Sequence, residues 1–308
     1  MDIIRPRLTD YHGIHKNQAD LDFAIQFFDE DIPLYVDPFL LWKSPSQQDN
    51  ALYTTITNSF NHLNYLIKKK QEDEALSILI DISECHEVGL GVSKTRKGTK
   101  ISEKQAQDIL SLFKDIPEYS QFGFTHFEII QLYISGISKD RISDITCNYL
   151  KSFLIDYTIE QCEINKIPTE GVILDSIYNY KTNKLDTNQK VYLPVNPLTK
   201  EPLIFTPKRW LRFNTWINYE DYFQKYCPRD EIFNPDEPEE RVKVLNFNRE
   251  NYGTIEGYIE YKTKASENCK NDPLFSQIPI LSAKRKLSQI LKLNTGKEHG
   301  ADMQYEEL

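Results

Sequence analysis

The sequence predicts an α+β fold that is predominantly helical, with a small antiparallel sheet near residues 172–205. Three observations carry this expectation. Apolar residues recur at three- and four-residue spacing through most of the chain up to Ile164; short alternating or continuous apolar runs replace them after Gly171; and the helical period returns beyond Tyr219. The predicted organisation is a mainly helical part over 1–170, a sheet-plus-helix part over 171–293 packed with the first as one body, and a flexible tail over 294–308. At 308 residues the chain can bury a sizeable core without disulfide or metal staples.

Residues 20–38 hold two apolar runs, 23–28 and 34–36, separated by the turn-rich 29–33. Pro33 and Pro38 stand too close together for a long helix, so both runs are expected to be extended. The acids Asp29, Glu30, Asp31 and Asp37 are of the type that bind hard cations, but no recognised ligand spacing fixes them, and a solvated acidic turn is the simpler expectation. In 47–70, Leu52, Ile56, Phe60, Leu63 and Leu66 predict a helix, with Lys68, Lys69 and Lys70 placing positive charge at its C-terminal end. A second helix is expected over 72–82.

The following loop carries Gly89, Gly91 and Gly98 among Lys94, Arg96, Lys97 and Lys100. Glycines let backbone amides approach a phosphate, and the four cations are candidate phosphate or nucleic-acid contacts, although the spacing is not that of a P-loop. Ser102 with Gln105 forms a capping box for a helix over 103–113, which Pro117 ends. A helix is expected over 125–135, with His126 as a structural histidine. One long helix is then predicted over 142–164, with Ile142, Ile145, Tyr149, Phe153 and Tyr157 on its buried face.

Beyond Gly171, the runs 172–177, 191–195 and 203–205 are read as a small antiparallel sheet or hairpin, with the polar 178–189 as a connection. Thr206 before Pro207 should cap a short helix over PKRWLR. Helices are expected near 219–228 and over 241–262, a polar connection over 265–279, and a short amphipathic helix over 284–293.

Asp140, Asp144 and Asn148 are four residues apart and form one polar row if the helix begins near Asp140. Acids at a helix start complement its dipole, and Ser143 or Asp140 would serve as the cap, so a structural role explains most of the cluster. The same row, with Mg2+, is the candidate catalytic set of a metal-dependent enzyme. Lys208, Arg209, Trp210, Arg212 and Trp216 set cations beside indoles, as an interface, a nucleic-acid groove or plain packing would. Asp236 with Glu260, Tyr261 and Lys262 has the residue types of a nuclease metal site, but the triplet lies on a helical period rather than a strand.

The formal charge of −9 argues against broad electrostatic attraction to nucleic acid, leaving only local basic patches for that role. Five scattered cysteines, Cys85, Cys147, Cys162, Cys227 and Cys269, have no zinc-ligand spacing and fit a reducing compartment. With neither a signal-peptide pattern nor a long apolar run, the expectation is a cytoplasmic protein with no membrane partner.

FDEDIPLYVDPFLLW at 28–42, DRISDITCNYLKSFLIDYT at 140–158, PLIFTPKRWLR at 202–212 and YIEYK at 258–262 together resemble a diverse family of poorly characterised bacterial proteins associated with genome-defence loci. The resemblance covers roughly residues 20–275. Some such relatives continue into a C-terminal nuclease domain of the restriction-endonuclease type, which this chain is expected to lack. The resemblance therefore implies a recognition or adaptor component of an anti-phage system that works with a separately encoded effector and needs no cofactor. The alternative is a metal-dependent nuclease or nucleotide-processing enzyme using Asp140, Asp144 and Asn148. A third reading is a toxin whose target is another protein.

Overall fold

A computed structural model describes residues 7–16, 18–94, 96, 98–235 and 237–268. Lys97, Asp236, Cys269, the helix expected over 284–293 and the tail lie outside the described residues. The protein is α+β and predominantly helical, with two small antiparallel two-stranded sheets among the described residues.

The helices expected over 47–70, 72–82 and 103–113 are α3 (Gln47–Lys68), α4 (Glu72–Asp81) and α5 (Glu103–Asp115), and three short helices join them, α1 (Leu8–Tyr11), α2 (Pro38–Trp42) and α6 (Pro117–Phe122). Ser46 caps α3 by accepting from the Asp49 amide, and the helix buries Tyr53, Ile56, Phe60, Leu63 and Leu66. In the capping box of α5, Ser102 Oγ accepts from the Gln105 amide at 3.2 Å while Gln105 Oε1 accepts from the Ser102 amide at 3.0 Å. Replacing Ser102 by Ala is expected to lower the unfolding free energy by about 1 kcal/mol in urea denaturation, the usual loss of an N-cap. No change would mean that the exposed box is already exchanged for water. Pro117 both follows the end of α5 and opens α6, because its missing N–H is no loss at a first helical position.

The helix expected over 142–164 is in fact two, α7 (Lys139–Tyr149) and α8 (Lys151–Asn165), broken at Leu150 with φ −97° and ψ 8°. Neither Pro nor Gly marks the break. Every residue from Ile142 to Tyr149 is buried, so neighbours enclose α7 on all sides and the chain must turn to keep packing. The segment expected as a helix over 125–135 contains a 3-10 helix at Phe127–Leu132, whose six residues are all buried and leave no solvent face for an amphipathic α-helix.

The sheet also departs from expectation. Strands β2 (Glu170–Asn179) and β3 (Lys184–Leu193) pair from Glu170 opposite Leu193 to Asn179 opposite Lys184, so most of the polar 178–189 stretch is strand. Its side chains are largely exposed, and an outward face tolerates polar residues. Leu203, Ile204 and Phe205 join no sheet; they are buried, with the Ile204 amide donating to Glu87 O and the Phe205 amide to Thr158 Oγ1. PKRWLR forms a 3-10 turn, Lys208–Trp210, and then β4 (Leu211–Arg212), which pairs with β1 (Tyr35–Val36) instead of opening an α-helix.

The chain continues through α9 (Tyr219–Lys225), α10 (Arg229–Ile232), α11 (Arg241–Glu250) and α12 (Tyr252–Asn268). A break at Asn251 divides the predicted 241–262 helix, and α12 runs on into the stretch expected as a connection. One apolar cluster draws residues from Ala24 through Tyr258. A second holds Leu8, Phe28, Tyr157 and Cys162 around Phe23 and Phe205, whose rings stack at 4.3 Å. Among the described residues no helix is long and apolar enough to cross a membrane.

Candidate functional site

A polar seam runs along α7 and the start of α8, where they face residues 83–91. At one end Lys151 Nζ lies 3.0 Å from Glu87 Oε1, with both side chains under a tenth exposed. Burial works to raise the Glu87 pKa, but Lys151 and its hydrogen bonds bring it down to about 2. Cys85 Sγ stands 3.5 Å from Glu87 Oε2, and burial pushes the Cys85 and Cys147 thiols up, which keeps them neutral and unreactive.

Further along, Asn148 Nδ2 donates to the carbonyls of Ile82 (2.8 Å), Glu84 (2.8 Å) and Asp144 (3.2 Å). Asn148 therefore ties the 82–84 turn to α7, a structural role, and drops out of the proposed catalytic row. Arg141 Nη1 donates to Glu84 Oε2 at 3.0 Å and Asp144 Oδ2 at 3.3 Å and also to Ser83 O; its Nη2 donates to Thr99 O at 2.7 Å. On the near side, Ser143 Oγ accepts from the Val36 amide at 2.9 Å, locking β1 against α7.

This framework gathers Asp31, Glu84, Asp140 and Asp144 from three separated stretches of chain. Gly91, at φ +121°, passes close to two of them: a Cβ there would stand 2.5 Å from Asp140 Oδ1 and 3.5 Å from Asp31 Oδ2. Only glycine meets both the backbone conformation and the space. Burial pushes Asp31 up to about 7, against Arg96 and with Asp140 adding to the rise. Asp140 is raised by burial and by Glu84, with Arg141 opposing. Asp144 is raised by burial, then by Glu84 and Asp140. Burial and crowding thus disfavour the ionised form of all three carboxyl groups, a pattern concentrated at functional sites.

The other candidate residues fall elsewhere. Lys94 is exposed, and Lys100 pairs with Asp81 at 2.5 Å. Arg96 turns inward beside Gly89, is 4 % exposed, and donates to Phe27 O at 2.8 Å and to the carbonyls of His86 and Glu87 at 3.3 Å. It braces the loop rather than offering itself to a phosphate. Lys208 Nζ donates to Gln18 O and Ala19 O, and Arg209 makes two 3.0 Å bonds to the Asp49 carboxylate. Trp210 is 1 % exposed. Arg212 pairs with buried Asp37 at 3.3 Å, and half-buried Trp216 donates from Nε1 to Lys262 O at 3.1 Å. These five residues join the β1–β4 pair to its neighbours; packing accounts for them because each cation meets an internal carboxylate or carbonyl.

Glu260 and Lys262 face opposite ways. Glu260 pairs with Lys264 in solvent, while Lys262 reaches Asp221 at 2.8 Å, so the triplet gathers no metal ligands. His126 is buried against Tyr53 Oη at 2.7 Å and Glu128 at 3.2 Å. Among the described residues no three histidine, cysteine, aspartate or glutamate side chains are arranged to hold a metal ion between them. Asp31 and Asp140 form a two-carboxylate arrangement. Sequence reasoning noted Asp31 only as part of an acidic turn and passed over Glu84, Glu87 and Lys151. The available signal was the Gly89-Leu90-Gly91 punctuation, which marks where backbone must pass close to another group.

The fold and site define an α+β protein with a carboxylate cluster held beneath a glycine loop. Residues 13–218, which include all four carboxylates, match a family described as a domain of unknown function, DUF8370, and the chain belongs to that family. No curated protein and no solved structure matches the chain.

Proposed function

We propose that this protein is a divalent-metal-dependent enzyme acting on phosphate esters, with Asp31 and Asp140 as the metal-binding pair. The observation that carries the reading is the approach of these two carboxylates to one point over Gly91, each with raised proton affinity. Mg2+ is commonly held by one or two carboxylates, with waters and substrate phosphate oxygens completing its shell, so two carboxylates suffice for the reading. A bound cation offsets the burial that raises both groups, and the neighbouring carboxyls that add to it. Asp144 and Glu84, fixed by Arg141, add negative charge that a cation would meet at the pair, and the exposed Lys94 on the same loop adds positive charge for an anionic substrate.

The test is Mn2+ and Mg2+ binding by calorimetry, alongside a screen for cleavage of DNA, RNA and nucleotides. The expected result is metal binding by the wild type, metal-dependent cleavage of at least one substrate class, and a loss of at least about 100-fold in both affinity and rate in Asp31→Asn with unchanged circular dichroism. Equal Mn2+ affinity in wild type and Asp31→Asn would sink the assignment whatever the substrate.

A place in bacterial anti-phage defence is a separate proposal, supported by sequence resemblance alone. The recognition or adaptor reading draws less from the geometry, because Arg96, Lys208, Arg209, Trp210 and Arg212 are engaged within the fold. Purification from the host during phage challenge addresses it. A stoichiometric effector accompanying the chain supports the adaptor role, and recovery of the chain alone counts against it.

A further inference from the structure

A second site lies on the solvent side of α3, where the helix faces the tip of the β2–β3 hairpin. Thr55, Asn58, His62 and Tyr65 follow one another at helical spacing, and Tyr180 and Asn183 meet them from the hairpin turn across a cleft of about 420 Å³. Its chemistry is unlike the rest of the acidic surface. Hydroxyl, amide and aromatic groups line it, and among the described residues no aspartate or glutamate does.

Tyr65 is 51 % exposed and Tyr180 is 47 % exposed, so two large aromatic faces are left in water on either side of one concavity. Their positions are set rather than loose. The His62 ring stacks on Tyr65 at 5.3 Å between centroids and 25° between planes. Burial lowers the His62 pKa, against Glu74, which keeps the imidazole an uncharged stacking surface near neutrality. In the turn, Asn179 Oδ1 accepts from the Lys181 amide at 3.0 Å, and Asn183 sits at φ +54°. Asn183 Oδ1 accepts from Tyr178 Oη at 3.0 Å, which leaves the amide NH2 as a donor. A lysine stands by each tyrosine: Lys69 Nζ is 5.6 Å from the Tyr65 ring and Lys181 Nζ is 5.9 Å from that of Tyr180.

Exposed aromatic faces, edge-reading amides and flanking cations are the combination that holds an unpaired base and its phosphate. We propose that this cleft binds a nucleobase stacked on Tyr65 and Tyr180, with Asn58 and Asn183 at its polar edge and its phosphate directed to Lys69 and Lys181. The ligand is a free nucleotide or one residue of a single strand, two sources of the same chemistry. The inference does not rest on the metal site, and it is tested without metal.

The experiment titrates the full chain in EDTA with AMP, with CMP, with a ten-nucleotide single-stranded oligonucleotide and with ribose 5-phosphate, by calorimetry at low salt. Binding of the oligonucleotide is expected, with affinity falling about tenfold in Tyr65→Ser and again in Tyr180→Ser, the order for losing a base–aromatic stack. Both positions are exposed, so the variants should keep the wild-type circular dichroism and melting temperature. Comparable binding of a mononucleotide identifies a nucleotide pocket, and binding of the oligonucleotide alone identifies a strand site. No binding by either, equal binding of ribose 5-phosphate, or unchanged affinity in both tyrosine variants overturns the proposal.

Discussion

Lys151→Met is expected to lower the unfolding free energy by about 3–5 kcal/mol at pH 7, the range for breaking a buried ion pair from one side. Methionine fills much the same volume, so the effect isolates the charge. The loss leaves the Glu87 carboxylate buried beside Cys85 and Cys147 with only the half-exposed His86 ring, 3.9 Å from Oε2, beside it. Much of that loss should return in a Lys151→Met, Glu87→Leu double variant, because an apolar pair of similar size removes the stranded charge as well. Urea denaturation of the three proteins decides it; a single-variant loss below about 1 kcal/mol would mean that water reaches Glu87.

The pH dependence of the same pair has a definite sign. The folded Glu87 pKa, about 2, lies below its ordinary 4.5. Its contribution is therefore complete above about 4.5 and fades as pH falls from there towards 2. Wild-type stability should drop over that window. In Lys151→Met the carboxyl loses the partner that held it down, so Glu87's contribution to the slope between pH 4.5 and 2 should vanish or reverse.

Asp140→Asn is expected to act in opposite directions on activity and stability. Under the proposed function it removes one metal-binding carboxylate and should reduce metal-dependent turnover by at least about 100-fold. It should also raise the melting temperature. Burial and Glu84 already make the ionised Asp140 unfavourable, and Asp140 in turn raises Asp31, Asp144 and the Tyr35 hydroxyl. Its place in the first turn of α7 favours a negative charge, but by only about 0.3–1 kcal/mol, less than the combined relief at Asp140 itself and at the two neighbouring carboxyl groups. A thermal melt paired with the activity screen checks both arms. A fall in melting temperature would show that Asp140 serves the helix start through the dipole, the structural alternative open to any acid in a first turn.

The capping box at Ser102 and the helices α3 and α4 were legible because their signals are local. Cap, period and terminal charge all lie within a few residues, and the side chains concerned meet one another whatever the rest of the chain does. The break at Leu150 was not legible. The apolar period continues through it, and what interrupts the helix is the enclosure of α7 by neighbours distant in sequence. The β3 strand was hidden by its polar outward face, which reads as a loop when the partner strand is unknown.

The candidate site divides in the same way. The sequence by itself determined that Asp140 and Asp144 share a helix face, that Asp31 lies in an acidic turn, and that Gly89 and Gly91 mark an unusual loop. Helical spacing and glycine punctuation state as much without a fold. Only the tertiary structure decided that Asp31 and Asp140 meet over Gly91, that Asn148 fastens a turn, that Arg96 points inward and that Trp210 is buried. Those outcomes depend on which surfaces of distant elements pack together. A charged side chain carries the same letter whether it faces water, a carbonyl or another carboxylate, and its electrostatic role follows from those neighbours.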